Sequence, residues 1–260
     1  MAFFDKIGHR LARYLSKPRE SAVLSTCRQG DLAAILKPGD VLLIEGNSTF
    51  SVAVKYLTQS SWSHATLYLG AALAPAKNGE EPLNLLDVDV NEGVRAVPLS
   101  RYADYHTRIC RPVGLSNKEI KQVINYTLTR LGQQYDLKNI FDLARYLIPT
   151  PMIPIRWRRR LLTLGSGDPT RAICSSLIAQ AFQSIHYPIL PEVAFEQGHD
   201  RHCPSCYEEV LRIRHHSQFT PRDFDVSPYF EIVKPTIAKR FKPSKLIWSI
   251  GDGERRKQPR

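Results

Sequence analysis

Apolar positions fall into short alternating runs through the first half of the chain and into helical stripes further on. The Pro-Gly-Asp punctuation of "LKPGDVLLIEG" (36–46) and the apolar run after it predict a first strand. "TFSVAVKYLTQ" (49–59) reads as a helix. "SHATLYLG" (63–70) alternates, with His64, Thr66 and Tyr68 on one side and Ala65, Leu67 and Leu69 on the other. "APAKNGEEP" (74–82) is an exposed turn. "LNLLDVDVNEGVRAVPL" (83–99) is a pair of strands hinged at Asn91-Glu92-Gly93, and "TRICRPV" (107–113) is a further strand. An antiparallel sheet follows from this order.

Helices come later. Ser116 and Glu119 form a capping box before "IKQVINYTLTRL" (120–131), and "LKNIFDLARYL" (137–147) is a second helix ending before Pro149. A Pro-rich, basic stretch (149–160) leads to "AICSSLIAQAF" (172–182), where Ile173, Leu177, Ile178, Ala181, Phe182 and Ile185 make one apolar helix face. In the last sixty or so residues, "SPYFEIVKP" (227–235) is the only good strand candidate. Strands first and helices afterwards, with no internal repeat or clear linker, predict an α+β fold. The expected organisation is an amphipathic N-terminal helix and polar linker (1–31), a single domain (32–250) and a basic tail without fixed structure (251–260).

Composition narrows the setting. A 260-residue chain that is 43% hydrophobic can build a sizeable core without metals or disulfides. Its formal charge of +11 points to an anionic partner. In the first segment Phe3, Phe4, Ile7, Leu11, Tyr14 and Leu15 line one helical side, with Lys6, Arg10, Arg13 and Lys17 on the others. Such a helix suits either an anionic lipid surface or docking on the domain itself. "PIRWRRRLL" (154–162) and "ERRKQPR" (254–260) are further basic clusters. No zinc-finger spacing, RNP-like aromatic pattern or helix-turn-helix signature supports nucleic acid as the partner. Five cysteines at 27, 110, 174, 203 and 206, an odd and scattered set, suit a reducing compartment. Without a signal peptide or spanning segment in this sequence, the expected location is cytoplasmic, peripheral on the inner face of the membrane.

Two sets of residues carry candidate chemistry. Cys174 lies beside the apolar stripe of its helix, and the residue alone leaves two readings open: a small buried hydrophobe, or a thiolate favoured by a helix start. A cysteine nucleophile needs a base, and of eight histidines only His64 sits inside a clean strand pattern. The second set, "GHDRHCPSCYEEVLRIRHH" (198–216), holds His199, His202, Cys203, Cys206, His215 and His216. This Cys-x-x-Cys with nearby histidines is either a structural zinc site or a pair of free thiols, since the second paired knuckle of a zinc ribbon is missing.

Five motifs in fixed order, "LKPGDVLLIEG", "SSWSHATLYLG", "LLDVDVNEGVRAVPLSRY", "GQQYDLKNI" and "AICSSLIAQAF", resemble the circularly permuted branch of the NlpC-type papain-like cysteine hydrolases, the YiiX- and YebB-like proteins. The resemblance spans roughly residues 37 to 235. It implies a papain-like fold in which the histidine strand precedes the cysteine helix, with Cys174 as nucleophile and His64 as base. Asp87 takes the third role where that branch typically carries a glutamate, and Asp89, on the same strand face, is the alternative. The Cys174 backbone N–H and the Tyr135 hydroxyl are the oxyanion or substrate-orienting candidates, and Ser175 and Ser176 are expected to satisfy helix-terminal N–H groups. The implied activity is hydrolysis or acyl transfer at an amide or ester bond of a peptidyl or acyl-lipid substrate, through a thioester and without a cofactor. The competing reading is an inactive, membrane-associated binding protein on the same scaffold, with or without zinc, and the aspartate in place of glutamate is the feature that favours it.

Overall fold

Val41–Glu45 (β1) is apolar at four consecutive positions because both of its faces are covered, as expected of a strand near the middle of a sheet. A computed structural model describes residues 29–73, 79–89, 92–134, 173–197, 207–239, 247–249 and 255–257. The other main strands are His64–Tyr68 (β2), Leu83–Asp89 (β3), Gly93–Pro98 (β4), His106–Pro112 (β5) and Phe230–Val233 (β8). They pair antiparallel in the order β4-β3-β2-β1-β5-β8. The molecule is therefore α+β with an antiparallel sheet, as the hydrophobic pattern predicts.

The pleat of the sheet separates two cores. Val41, Leu43, Ala65, Leu67, Leu86, Val88, Val94 and Cys110 join one, together with Asn117–Leu128 (α3) and Ile173–Gln183 (α4). Leu42, Ile44, Leu85, Val97, Ile109 and Val233 join the other, closed by Leu32 of Gln29–Ala33 (α1), by Leu36 and by the 3-10 turn Leu99–Tyr102. Helix α1 crosses the boundary expected at residue 31 because Leu32 buries here. Thr49–Thr58 (α2) occupies the predicted helix after β1.

Helix α4 packs on β2, β3 and α3, with Leu177, Ile178, Ala181 and Phe182 of the predicted stripe in the core. Leu177, Ile178 and Phe182 are fully buried, each contributing about 1.5–3 kcal/mol of hydrophobic stabilisation. His186, at φ 59, ends the helix, and the Tyr187 N–H returns to the Phe182 carbonyl at 3.0 Å. The Ser116–Glu119 capping box starts α3 as the sequence predicts.

Beyond residue 190 the expectation of one good strand needs correction. Glu192–Gln197 (β6) and Tyr207–Arg212 (β7) form a separate two-stranded ribbon. Its cross-strand pair Val193 and Leu211 is exposed, so no core imposed the apolar alternation by which a strand is recognised. Pro221–Asp225 (α5) and Pro235–Ala238 (α6) are short helices opened by proline. Ile247–Ser249 (β9) and Arg255–Lys257 (β10) pair with each other, the latter inside the expected basic tail. Among the described residues no helix is long and apolar enough to cross a membrane. The helix expected within residues 1–20, the one at 137–147 and the basic stretch at 149–160 lie outside the described residues.

Candidate active site

His64 is the first residue of β2, and two anchors fix the loop that delivers it. The Trp62 indole N–H donates to Asp225 Oδ2 at 3.0 Å, and the Gly46 N–H donates to the Ser63 hydroxyl at 2.9 Å. The imidazole Nε2 then meets Asp87 Oδ1 at 2.6 Å. The Cys174 thiol, on the second residue of α4, lies near the start of β2, where His64 and the Ala65 backbone N–H act on its pKa. The chain therefore brings three of the residues named from sequence, spread from position 64 to position 174, into one cluster.

Asp87 is 2% exposed and has every partner a buried carboxylate needs. Arg95 donates to its Oδ2 from Nε at 3.1 Å and from Nη2 at 3.0 Å, and the Tyr102 phenol lies close enough for the two groups to act on each other's pKa. Arg95 lies opposite Asp87 in the β3–β4 hairpin. Gly93 sets that hairpin: its φ is 75°, and a Cβ there would stand 2.3 Å from the Gln133 carbonyl oxygen, to which the Val94 N–H donates. Asp89 faces a different group. It accepts from Arg95 Nη2 at 3.3 Å and from the Glu92 N–H at 3.1 Å. Continuing the recorded pairs Leu67↔Leu86 and Tyr68↔Leu85 would set Asp89 opposite His64 and Asp87 on the diagonal, yet the diagonal residue makes the contact.

Electrostatics follow from these contacts. Burial alone would raise the Cys174 pKa, but the imidazole beside it and the Ala65 N–H outweigh that cost and lower it. Burial also disfavours a charged His64, yet Tyr102, Cys174 and Asp87 around it carry its pKa well above the ordinary imidazole value. Asp87 is likewise penalised by burial, and the His64 and Arg95 charges hold its carboxyl far below the usual range. Burial keeps the Tyr102 phenol neutral, its pKa pushed up beyond that of a free tyrosine. The Cys174 and His64 shifts both run in the direction that favours a thiolate beside an imidazolium, with Asp87 held ionised between His64 and Arg95. Cys174 also lies in the first turn of α4, where the positive end of the helix dipole favours a thiolate.

Two contributors, Arg95 and Tyr102, were absent from the sequence reading. Arg95 could have been found from the hairpin hinge, which fixes it opposite Asp87; Tyr102 carries no such local signal. Ser176 departs from its expected role: its hydroxyl is buried with no hydrogen-bond partner among the described residues. Ser175 is fully buried, its hydroxyl 4.0 Å from the Cys174 sulfur. Tyr135, His199, His202, Cys203 and Cys206 lie outside the described residues. His215 and His216 stand together, their ring centroids 4.0 Å apart. Among the described residues no group of three or more His, Cys, Asp or Glu is arranged to hold a metal ion.

A cleft of about 330 Å³ opens at His64, lined also by Asp87, Val88, Asp89, Arg95, Arg101, Tyr102 and Tyr105. No family model matches the chain. A solved structure, that of the metalloprotein yiiX from Escherichia coli O157:H7 (DUF1105), is similar over 76% of this chain and 96% of its own, at 15% identity and a TM-score of 0.42. A likeness that loose carries no conclusion about fold or chemistry.

Proposed function

We propose that the protein is a circularly permuted papain-like cysteine hydrolase or acyltransferase acting on amide or ester bonds, with Cys174 as nucleophile, His64 as general base and acid, and Asp87 as the group that orients the imidazole. One observation carries this reading: His64, whose Nε2 meets the buried Asp87 carboxylate at 2.6 Å, lies close enough to the Cys174 thiol to lower its pKa. The chain order, histidine strand before cysteine helix, is that of the permuted fold. The aspartate in place of glutamate does not argue against catalysis, because its shorter side chain reaches the ring without an intervening group.

In the proposed reaction the thiolate attacks the carbonyl carbon, and the new oxyanion is stabilised by backbone N–H groups of the first turn of α4, that of Cys174 first. The His64 imidazolium protonates the departing amine or alcohol as the thioester forms. The neutral imidazole then takes a proton from water, which attacks the thioester and releases the acid; an acceptor nucleophile in that place gives acyl transfer instead. Arg95 serves as a positioning residue, holding Asp87 ionised and in line without touching the reacting atoms.

The test is acylation by a p-nitrophenyl ester, an activated probe rather than the natural substrate. The expected result is a thioester on Cys174 by mass spectrometry, absent in Cys174→Ala and formed far more slowly in His64→Ala. Acylation spread over other residues, or indifferent to His64, would falsify the assignment.

A further inference from the structure

We infer that the cleft beside His64 is an anion-recognising subsite, in which Arg101 receives a carboxylate or phosphate group carried by the acyl substrate. This rests on the hydrolase reading and adds a substrate class to it. At about 330 Å³ the cleft lies at the small end of ligand pockets, roomy enough for one polar substituent and its short linker.

The charges around the cleft are not equally committed. Asp87 is shared by His64 and Arg95. Asp89 is shared by Arg95 and the Glu92 N–H. Arg95 spends its donors on Asp87, Asp89 and Glu92. Arg101 differs: among the described residues its guanidinium takes part in no hydrogen bond or ion pair, though it lies close enough to Tyr102 to act on that phenol. The lining thus carries His64, Arg95 and Arg101 against two carboxylates, and among the described residues the charge without a partner is Arg101.

Arg101 is also held on a firm base. It belongs to the 3-10 turn Leu99–Tyr102, whose first and last residues are buried. The Ser100 N–H in the same turn donates to Glu81 at 3.1 Å. Tyr102 and Tyr105, packed edge to face at 5.8 Å, form the apolar wall beside it with Val88. A planar guanidinium on a fixed turn, beside an aromatic wall and within the same cleft as the proposed base, suits forked recognition of an oxyanion at one end of an acyl chain.

The test uses thiol alkylation, which needs no knowledge of the natural substrate. N-chloroacetyl derivatives of glycine, β-alanine and aminoethylphosphonate are compared with N-methylchloroacetamide. In each case the thiolate displaces chloride, a C–S bond replacing the C–Cl bond, and the rate at Cys174 is followed by peptide mapping. The expected result is a rate ratio of at least one anionic reagent to the neutral one of roughly tenfold or more at low salt, falling with added salt. That ratio drops toward one in Arg101→Gln and is partly kept in Arg101→Lys. The ranking of carboxylate against phosphonate names the group recognised. A ratio that is the same in the wild type and in Arg101→Gln overturns the inference. Failure of Cys174 to react faster than Cys110 even with the neutral reagent defeats the hydrolase reading instead, and the two failures are separately visible.

Discussion

Cys110 and Cys174 are the same residue in the same hydrophobic core, and the structure makes opposite acids of them. Cys110 lies on β5, wholly buried; burial pushes its thiol far up, and the Asp225 carboxylate adds to the rise. Cys174 is hardly more exposed, at 5%, yet its pKa falls. Burial is therefore not what separates a packing cysteine from a candidate nucleophile. The difference lies in the neighbours: His64, backed by Asp87 and Arg95, and the Ala65 N–H lower the Cys174 pKa, and Cys174 lies in the first turn of a helix.

The largest predicted effect is the contrast itself. In the folded protein at neutral pH, iodoacetamide should modify Cys174 roughly 1,000-fold faster than Cys110, since thiolate fraction falls tenfold with each unit of pKa. Quantitative peptide mapping reads both sites in one sample, and comparable rates would erase the distinction. Asp87→Asn should come next. It removes the charge that favours the imidazolium and should slow acylation of Cys174 by roughly 100-fold, moving the reactivity profile to higher pH.

Arg95→Met should cost about 2 kcal/mol of stability by urea denaturation, because it removes donors from a buried carboxylate. The sign with pH is fixed. The folded Asp87 pKa is depressed, so its contribution is present above an unfolded value of about 4 and is lost as pH falls below that. Wild type and variant should therefore differ at neutral pH and converge in acid; a constant gap would mean that Arg95 acts through packing alone. The smallest effect belongs to Ser176→Ala. Its buried hydroxyl has no partner among the described residues, so removal should leave stability within about 1 kcal/mol or raise it slightly, as thermal unfolding would measure.

Where one face of an element meets a core, the sequence was a good guide. The alternation of "SHATLYLG" predicts β2 and the face that His64 shares with Thr66, and the hinge at Asn91-Glu92-Gly93 predicts the hairpin. The stripe of "AICSSLIAQAF" predicts α4. The β6–β7 ribbon was not legible because its apolar residues run together, Val193 to Phe195 in one strand and Val210 with Leu211 in the other, and because Val193 and Leu211 stay exposed, so nothing forced a period of two. Within the site, periodicity could place Asp87 and Asp89 on one face but could not choose between them, since the choice depends on a diagonal contact across two strands. Arg95 was implicit in the hairpin pairing, whereas Tyr102 reaches Asp87 only through the 3-10 turn after β4.

The most direct measurement is the pH profile of Cys174 alkylation by iodoacetamide in the wild type and in His64→Ala. Because His64 lowers the Cys174 pKa, the wild-type rate should stay high as the pH drops below the ordinary thiol range, and the profile of His64→Ala should move up toward that range. Superimposed profiles would contradict the account, leaving Cys174 a second buried cysteine of the kind that Cys110 is.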